Sequence, residues 1–396
     1  MLRSEVELAI VGAGPAGLST ALFLQAHAPA IAARALVLEK ARHPREKICA
    51  GAIGMRAERL LGSIGVRVDV PSSPLHGVGV RTERGELVLR RDAPIGRVVK
   101  RRAFDAALAE IARARGVSIR EGAGLQRMER DAAGWTLTLA DGETLRARAV
   151  VGADGVTSAV RRELGLPKGE LMAQAAEVDT HRRATDGPGD IAMFDLTRRA
   201  LRGYVWDFPT PAEGGPEVCR GVYQLRIGAG SSAAERVSVD EVLSAHVGDT
   251  PRTGPTRRFA ERGFSRHEAT AVGSAMLVGE AAGIDPVLGE GIAQAILYGA
   301  TAGAFLGEEL SRGVYDFRAW PAALRTAHIG LDVRARSAAV PLVYGARRGL
   351  LERWVTRSPA LARVGMAYFA GDRVPRSALV GAALDLGAAL LGPLAR

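Results

Sequence analysis

Three stretches near the start of the chain have residue types and spacing that suit phosphate and ribose binding. Gly12-Ala13-Gly14-Pro15-Ala16-Gly17 is a glycine turn, and an acid, Glu39, follows about twenty residues later. Gly12 permits a tight turn, Gly14 lets a pyrophosphate approach the backbone, and Gly17 lets a helix pack closely on a sheet. A helix starting at Pro15 and Ala16 would offer free N–H groups and a partial positive charge to the phosphates. Glu39 could accept hydrogen bonds from both hydroxyls of an adenosine ribose. A third stretch, Cys49-Ala50-Gly51-Ala52, is small enough for a flat ring to lie against its backbone. The turn by itself does not separate FAD from NAD.

The surrounding pattern supplies the elements that would hold these residues. Val6 to Val11 is a short apolar run that reads as a buried strand, Leu18 to Gln25 as a helix, and Ala35 to Leu38 as a second strand ending at Glu39. Together they form the βαβ unit of a dinucleotide site. A charged loop containing Lys40, Pro44, Arg45 and Lys47 leads to Cys49. Val78 to Arg90 reads as a hairpin, and Val98 to Arg115 opens and runs as a helix. Four alternating strands follow, and Ala149 to Gly155 is a buried strand entering a second turn. From about Ala173 to Arg266 the chain changes to strands and glycine- and proline-rich loops. Ala275 to Glu280 returns to a buried strand, and Gly289 to Leu310 reads as a long helix. The last eighty or so residues read as helical; Ala378 to Leu394 is apolar, with Arg373 and Arg376 beside it.

With 396 residues and 47% hydrophobic content, the chain can bury a large core in one or two domains. Its net charge of +10 rests almost wholly on arginine, the lysines being Lys40, Lys47, Lys100 and Lys168. No aromatic-interleaved basic stretch points to nucleic acid. Cys49 and Cys219 make neither a disulfide framework nor a metal-ligand spacing, so no metal is expected. A reducing cytoplasm is the expected location, with no signal peptide and no run of ~20 apolar residues to span a membrane. The apolar C-terminal region reads either as a helix packed on the body or as a peripheral membrane contact.

Three glycine-rich turns that each follow a strand, Gly12 to Gly17, Gly152 to Gly155 and Gly279 to Gly291, together resemble the glutathione-reductase-like flavoproteins of the aromatic-hydroxylase group. The resemblance covers the chain to about residue 310. Val151 to Arg161 matches that group's second motif and Gly279 to Pro286 its third, with Glu280 where aspartate is usual. Arg45-Glu46-Lys47-Ile48-Cys49-Ala50-Gly51, Gly203-Tyr204-Val205-Trp206-Asp207-Phe208-Pro209 and Pro286 to Ile292 look like the corresponding loops and strand of the geranylgeranyl reductase family. That resemblance implies a bound FAD and reduction of isolated double bonds in isoprenoid chains. It implies cofactor contacts at Gly12, Gly14, Pro15, Ala16, Gly17, Glu39, Lys40 and Arg45. Cys49, Ala50 and Ala52 would lie near the flavin ring, Arg101 would contact the flavin, and Leu125 would pass beside the adenine. Asp154, Gly155, Glu280, Pro286 and Gly289 complete the set, with Gly291 and Ile292 giving N–H groups to the pyrimidine edge.

The resemblance implies an α/β chain: a Rossmann-like FAD-binding domain of glutathione-reductase type, an inserted antiparallel substrate sheet and a helical C-terminal region. The expected boundaries are 1–172 and 267–330 for the first, with 71–97 contributing to the substrate sheet, 173–266 for the second and 331–396 for the third. Tyr204, Trp206 and Phe208 share one strand face and read either as core or as a substrate wall. Cys49, Tyr204 and Trp206 are the catalytic candidates. The expected activity is reduction of a hydrophobic alkene, with electrons from transient NAD(P)H or a redox protein. A monooxygenase acting on an aromatic or polyketide-like molecule is the alternative. A flavin-dependent halogenase ranks below it, because no lysine lies between Lys47 and Lys100. A non-catalytic flavin-binding protein ranks last.

Overall fold

The computed structural model describes residues 5–227 and 237–391. The first apolar run forms the strand Glu5–Val11 inside an eight-stranded sheet. It runs parallel to Ala35–Glu39 on one side and to Thr144–Gly152 on the other. Ile119–Glu121 and Ala275–Leu277 extend the parallel order outward. Leu8, Ala9 and Ile10 are fully buried, as expected for a parallel strand covered on both faces. The hairpin Leu125–Asp131 and Gly134–Leu139 adds on antiparallel to Thr144–Gly152.

Helix Pro15–His27 leaves the glycine turn with Pro15 in its first turn, where a missing N–H costs nothing. It crosses the long helix Ile292–Ser311 at very close range. A Cβ on Gly299 would lie 2.4 Å from Ser19 Cβ, and one on Gly303 would lie 2.6 Å from Phe23 Cβ. The sequence predicts this long helix from Gly289, but it starts at Ile292. Gly289 has φ +64°, which takes it out of the right-handed helical region.

The second sheet has seven strands. Their order is Arg257–Arg262, Leu171–His181, Glu217–Ile227, Gly203–Thr210, Ile191–Asp195, Gly77–Thr82 and Gly85–Arg90. All neighbours are antiparallel except Ile191–Asp195 with Gly77–Thr82. Of residues 71–97, only the hairpin Gly77–Thr82 and Gly85–Arg90 joins this sheet. Ser72–Leu75 and Gly96–Val99 pair with each other in a three-stranded sheet that includes Ala52–Gly54.

Both faces of the seven-stranded sheet are covered. On one lies helix Val239–Val247, which the strand-like reading of this region missed. Its Val239, Val242, Leu243 and Val247 pack on Ala176, Val178, Val205 and Val222. The signal was helical spacing after an N-cap: Ser238 Oγ accepts from the Glu241 N–H at 3.3 Å. The other face carries Tyr204, Trp206, Phe208 and Tyr223. They cluster with Val340, Val343 and Tyr344 of helix His328–Tyr344 and with Met366 and Ala370 of helix Pro359–Ala370.

The apolar C-terminal stretch forms most of helix Arg376–Leu391, and residues 392–394 of that expectation lie outside the described residues. Residues 228–236, within the expected 173–266 segment, lie outside them as well. Among the described residues no helix is long and apolar enough to cross a membrane.

Candidate active site

The opening turn is built by backbone contact. Gly12 sits at φ +108°, and a Cβ there would lie 2.4 Å from the Ala153 carbonyl oxygen. A Cβ on Gly17 would lie 1.9 Å from the Gly12 oxygen. Only glycine fits either position, so the first and second turns touch through bare backbone. Glu39 is buried, and both its oxygens are held: Oε2 accepts from the Ala13 N–H at 3.0 Å and Oε1 from the Ala41 N–H at 3.1 Å.

Two arginines converge on one buried acid behind this turn. Asp105 accepts from Arg101 Nε and Nη2, both at 2.8 Å, a bidentate pair within one helix. Arg45 Nη1 lies 3.2 Å from the same carboxylate and Nη2 3.4 Å from Glu39 Oε2. Arg45 Nε is buried with no hydrogen-bond partner. Sequence reasoning named Arg45 and Arg101 but gave Asp105 no role. The i, i+4 spacing of Arg101 and Asp105 was its local signal; the Arg45 contact has none.

The second turn is stiffened from within. Asp154 accepts from Ser158 Oγ at 2.5 Å, from the Ala159 N–H at 2.6 Å and from the Val160 N–H at 3.1 Å. The Asp154 carboxylate therefore caps helix Ala159–Glu163 together with Ser158. Burial pushes its pKa up, against these hydrogen bonds. Buried Arg161 bonds to the Ala281 carbonyl at 3.3 Å and to Glu268, joining the second turn to the third. Glu280, in the third turn, faces Lys47 Nζ at 3.8 Å.

These turns enclose a cleft of about 430 Å³. Gly12, Gly14, Pro15, Ala16, Glu39, Lys40, Arg45, Arg101, Leu125, Asp154, Gly155, Glu280, Gly291 and Ile292 all line it. Gly17 lies beneath the turn, while Cys49, Ala50, Ala52, Pro286 and Gly289 are not among the lining residues. Ala50, Ala52 and Val287 instead pack against the aromatic face of the seven-stranded sheet. Burial pushes the Cys49 thiol above its ordinary value, and Arg101 pulls it the other way.

That aromatic face is dense. Tyr204 stacks on Tyr223 with ring centres 5.3 Å apart, and Phe194 lies 5.3 Å from Tyr204 and 5.2 Å from Phe208. The tyrosine hydroxyls are engaged with backbone. Tyr204 donates to the Leu288 carbonyl, Tyr223 to that of Pro286 at 3.0 Å, and Tyr344 to that of Val287. Three phenols thus hold three successive carbonyls of the loop before Gly291. Trp206 lies over Gly221, and its Nε1 is buried without a partner.

Two acids that sequence reasoning did not single out share this face. Glu177 is fully buried, with Oε1 unpartnered. Burial pushes its carboxyl up to about 7, while Arg257 opposes the shift. Glu261 Oε2 is also buried and unpartnered, and it sits where a Cβ on Gly289 would be 2.5 Å away. Burial drives the Glu261 carboxyl well above the ordinary range, and Glu280 adds to the effect.

The family model for an FAD binding domain matches residues 5–310. The chain belongs to that family. Its relatives include FAD-dependent oxidoreductases of the geranylgeranyl reductase kind. It is 28% identical over 332 residues to a digeranylgeranylglycerophospholipid reductase of Methanopyrus kandleri, covering 76% of this chain and 80% of that one. Over 168 residues it is 35% identical to the rifampicin monooxygenase of Streptomyces venezuelae, 40% of this chain and 34% of that one. The conditioned medium factor receptor 1 of Dictyostelium discoideum is 25% identical over 336 residues, 74% of this chain and 62% of that protein. The chain thus spans less than two thirds of the last two proteins. A solved geranylgeranyl bacteriochlorophyll reductase-like protein of Thermoplasma acidophilum has the same fold, with TM-score 0.66, 18% identity and 96% of each chain covered.

The cleft fits FAD on its own geometry. A Cβ on Gly14 would meet only Arg45 Nη2, at 3.6 Å, so the turn stays open toward the cleft. The orphaned Arg45 Nε lies beside the same turn, as a phosphate-binding guanidinium should. Helices Pro15–His27 and Ile292–Ser311 both begin at the cleft with no acid in their first turns.

Proposed function

We propose that the protein reduces a carbon–carbon double bond of a hydrophobic, isoprenoid-like substrate. The observation that carries this reading is the aromatic face of Tyr204, Trp206, Phe208, Tyr223 and Phe194, set against Ala50, Ala52 and Val287. A long apolar chain loses its water on such a surface and needs few polar contacts to be held. The similarity to the Methanopyrus reductase supports the same reading.

In this reading FAD lies along the cleft in a domain of glutathione-reductase type, formed by 1–172 and 267–330. The inserted segment 173–266, with part of 71–97, makes the substrate wall, and 331–396 closes it. Glu39 takes the adenosine ribose, Leu125 lies by the adenine, and Arg45 with the Pro15 helix end takes the pyrophosphate. Lys40 stands at the rim, Gly155 leaves room at the second turn, and Glu280 takes the ribityl chain. Cys49, Ala50 and Ala52, outside the cleft lining, would flank the ring, and Gly291 and Ile292 would offer N–H groups to its pyrimidine edge, on a loop shaped by Pro286 and Gly289. When bound and reduced, FAD supplies hydride. The chain's residues orient the two partners and exclude water. NAD(P)H or a redox protein supplies the electrons. Leu379, Val380 and Leu384, each at least half exposed beside Arg373 and Arg376, offer a peripheral contact with a lipid surface.

The second reading, a monooxygenase, draws on the 35% identical stretch shared with rifampicin monooxygenase. One experiment separates the two. The FAD-loaded protein is photoreduced without oxygen and mixed with geranylgeraniol. Reoxidation with formation of the saturated product supports reduction. Reoxidation only on admitting O2, with a hydroxylated product, supports the second reading.

A further inference from the structure

One buried acid has no part in the cofactor cleft. Glu177 has no exposed surface, yet its Oε1 makes no hydrogen bond. The nearest cation, Arg257 Nη2, is 3.7 Å from Oε1 but 2.9 Å from Asp179. Its Oε2 has a long contact with Cys219 Sγ at 3.7 Å, and the Cys49 backbone is near enough to pull the carboxyl's pKa down. Register fixes its aim: Glu177 pairs with Gly221 on one side and Arg257 on the other. The Trp206 ring covers Gly221, and the unpartnered Trp206 Nε1 belongs to that ring. On the same strand face, the small Ala175 and Ala173 carry the surface from Glu177 into the aromatic cluster.

An unpartnered buried carboxyl costs stability. Here it stands beside the Cys49 segment, on the face where the substrate would lie. We propose that Glu177 is the proton donor of the reduction, an inference that rests on the reductase reading above. The reduced flavin is the two-electron reductant. As the alkene π bond breaks, hydride forms a C–H bond at one carbon, and the Glu177 proton forms the other C–H bond. Glu177 is left as the carboxylate. Asp179, two residues on along the same face, is bonded to Lys100 Nζ at 2.9 Å, and the Lys100 side chain is 39% exposed. That pair gives the proton a way back from solvent.

The titratable and charged groups facing Glu177 are Cys49, Asp179, Cys219 and Arg257, with Lys100 behind Asp179 and Glu261, on the neighbouring strand, within reach of its charge. A carboxyl held near 7 is matched to proton transfer at neutral pH. The Cys49 thiol, already a weaker acid, is pushed further away.

The test uses the full-length, FAD-loaded protein with Glu177→Gln and Glu177→Asp. By infrared spectroscopy the wild type should have a protonated-carboxyl C=O band that fades as pH rises through about 7 and moves on photoreduction. Glu177→Gln should lack this band. In anaerobic reoxidation by geranylgeraniol, Glu177→Gln should slow by about 100-fold or more, and Glu177→Asp should recover part of the rate. A wild type without the band, a band unchanged in Glu177→Asp, or an unslowed Glu177→Gln overturns the proposal while alkene reduction stands. A wild type with the band that reduces no geranylgeraniol overturns the reductase reading, and the proton-donor role with it. Should Glu177→Gln fail to fold, the wild-type band and its change in Glu177→Asp decide.

Discussion

The cofactor cleft and the sheet wall beside it treat buried acids in opposite ways. In the cleft, Glu39 gives both oxygens to backbone N–H groups, Asp105 is shared by two guanidiniums, and Asp154 caps a helix. On the wall, Glu177 and Glu261 each keep one buried oxygen without a partner. The first arrangement is finished before any ligand arrives, which suits a molecule that stays in one pose. The second is left open, which suits groups that exchange protons or meet a transient partner.

The contrast can be attacked from its strongest point. Asp105→Ala should leave Arg101 buried without its anion and Arg45 with Glu39 alone, and cost about 3–5 kcal/mol in urea unfolding. A loss below about 1 kcal/mol would mean that the cleft does not depend on closed pairing.

Glu177→Gln tests the other side. The native Glu177 keeps its proton between the ordinary value of 4.5 and about 7, whereas the unfolded chain releases it there. The native state binds more protons in that window, so stability is full below about 4.5 and falls as pH rises through about 7. The decline should reach about 3 kcal/mol in the wild type relative to Glu177→Gln, measured by denaturant unfolding across the window. Equal pH dependence of the two proteins would remove the wall's distinctness.

Gly12→Ala would place a Cβ at φ +108° against the Ala153 oxygen. FAD affinity should weaken by about 2 kcal/mol or more, roughly 30-fold, in a flavin fluorescence titration. The smallest effect is expected at Tyr204→Phe, which frees the Leu288 carbonyl. About 1 kcal/mol of stability should be lost, read from chemical unfolding.

The cleft was legible in the sequence because it is made by backbone, and backbone geometry leaves glycines at fixed spacing. Asp105 was not, because its second partner, Arg45, comes from a distant loop. The aromatic side of the wall was half legible: Tyr204, Trp206 and Phe208 alternate as one face must. Glu177 and Asp179 were hidden by the same alternation rule. Alternating with Ala176 and Val178, they fall where that rule puts the solvent side of a strand. The rule fails because helix Val239–Val247 covers one face and the C-terminal helices cover the other, so neither face is wet. Tyr204 had a catalytic reading that sequence could not refine, since its hydroxyl partner is a loop carbonyl far along the chain.

The helix crossing at Gly299 and Gly303 sets a length. Helices Pro15–His27 and Ile292–Ser311 each turn an N-terminal pole toward the cleft, and they meet where Gly299 and Gly303 of one lie bare against Ser19 and Phe23 of the other. The gap between the two poles is therefore gauged by glycine main chain against the roots of the Ser19 and Phe23 side chains. A ligand too short to reach both would be gripped at one end only, so the crossing acts as a ruler for dinucleotides although it touches none of them.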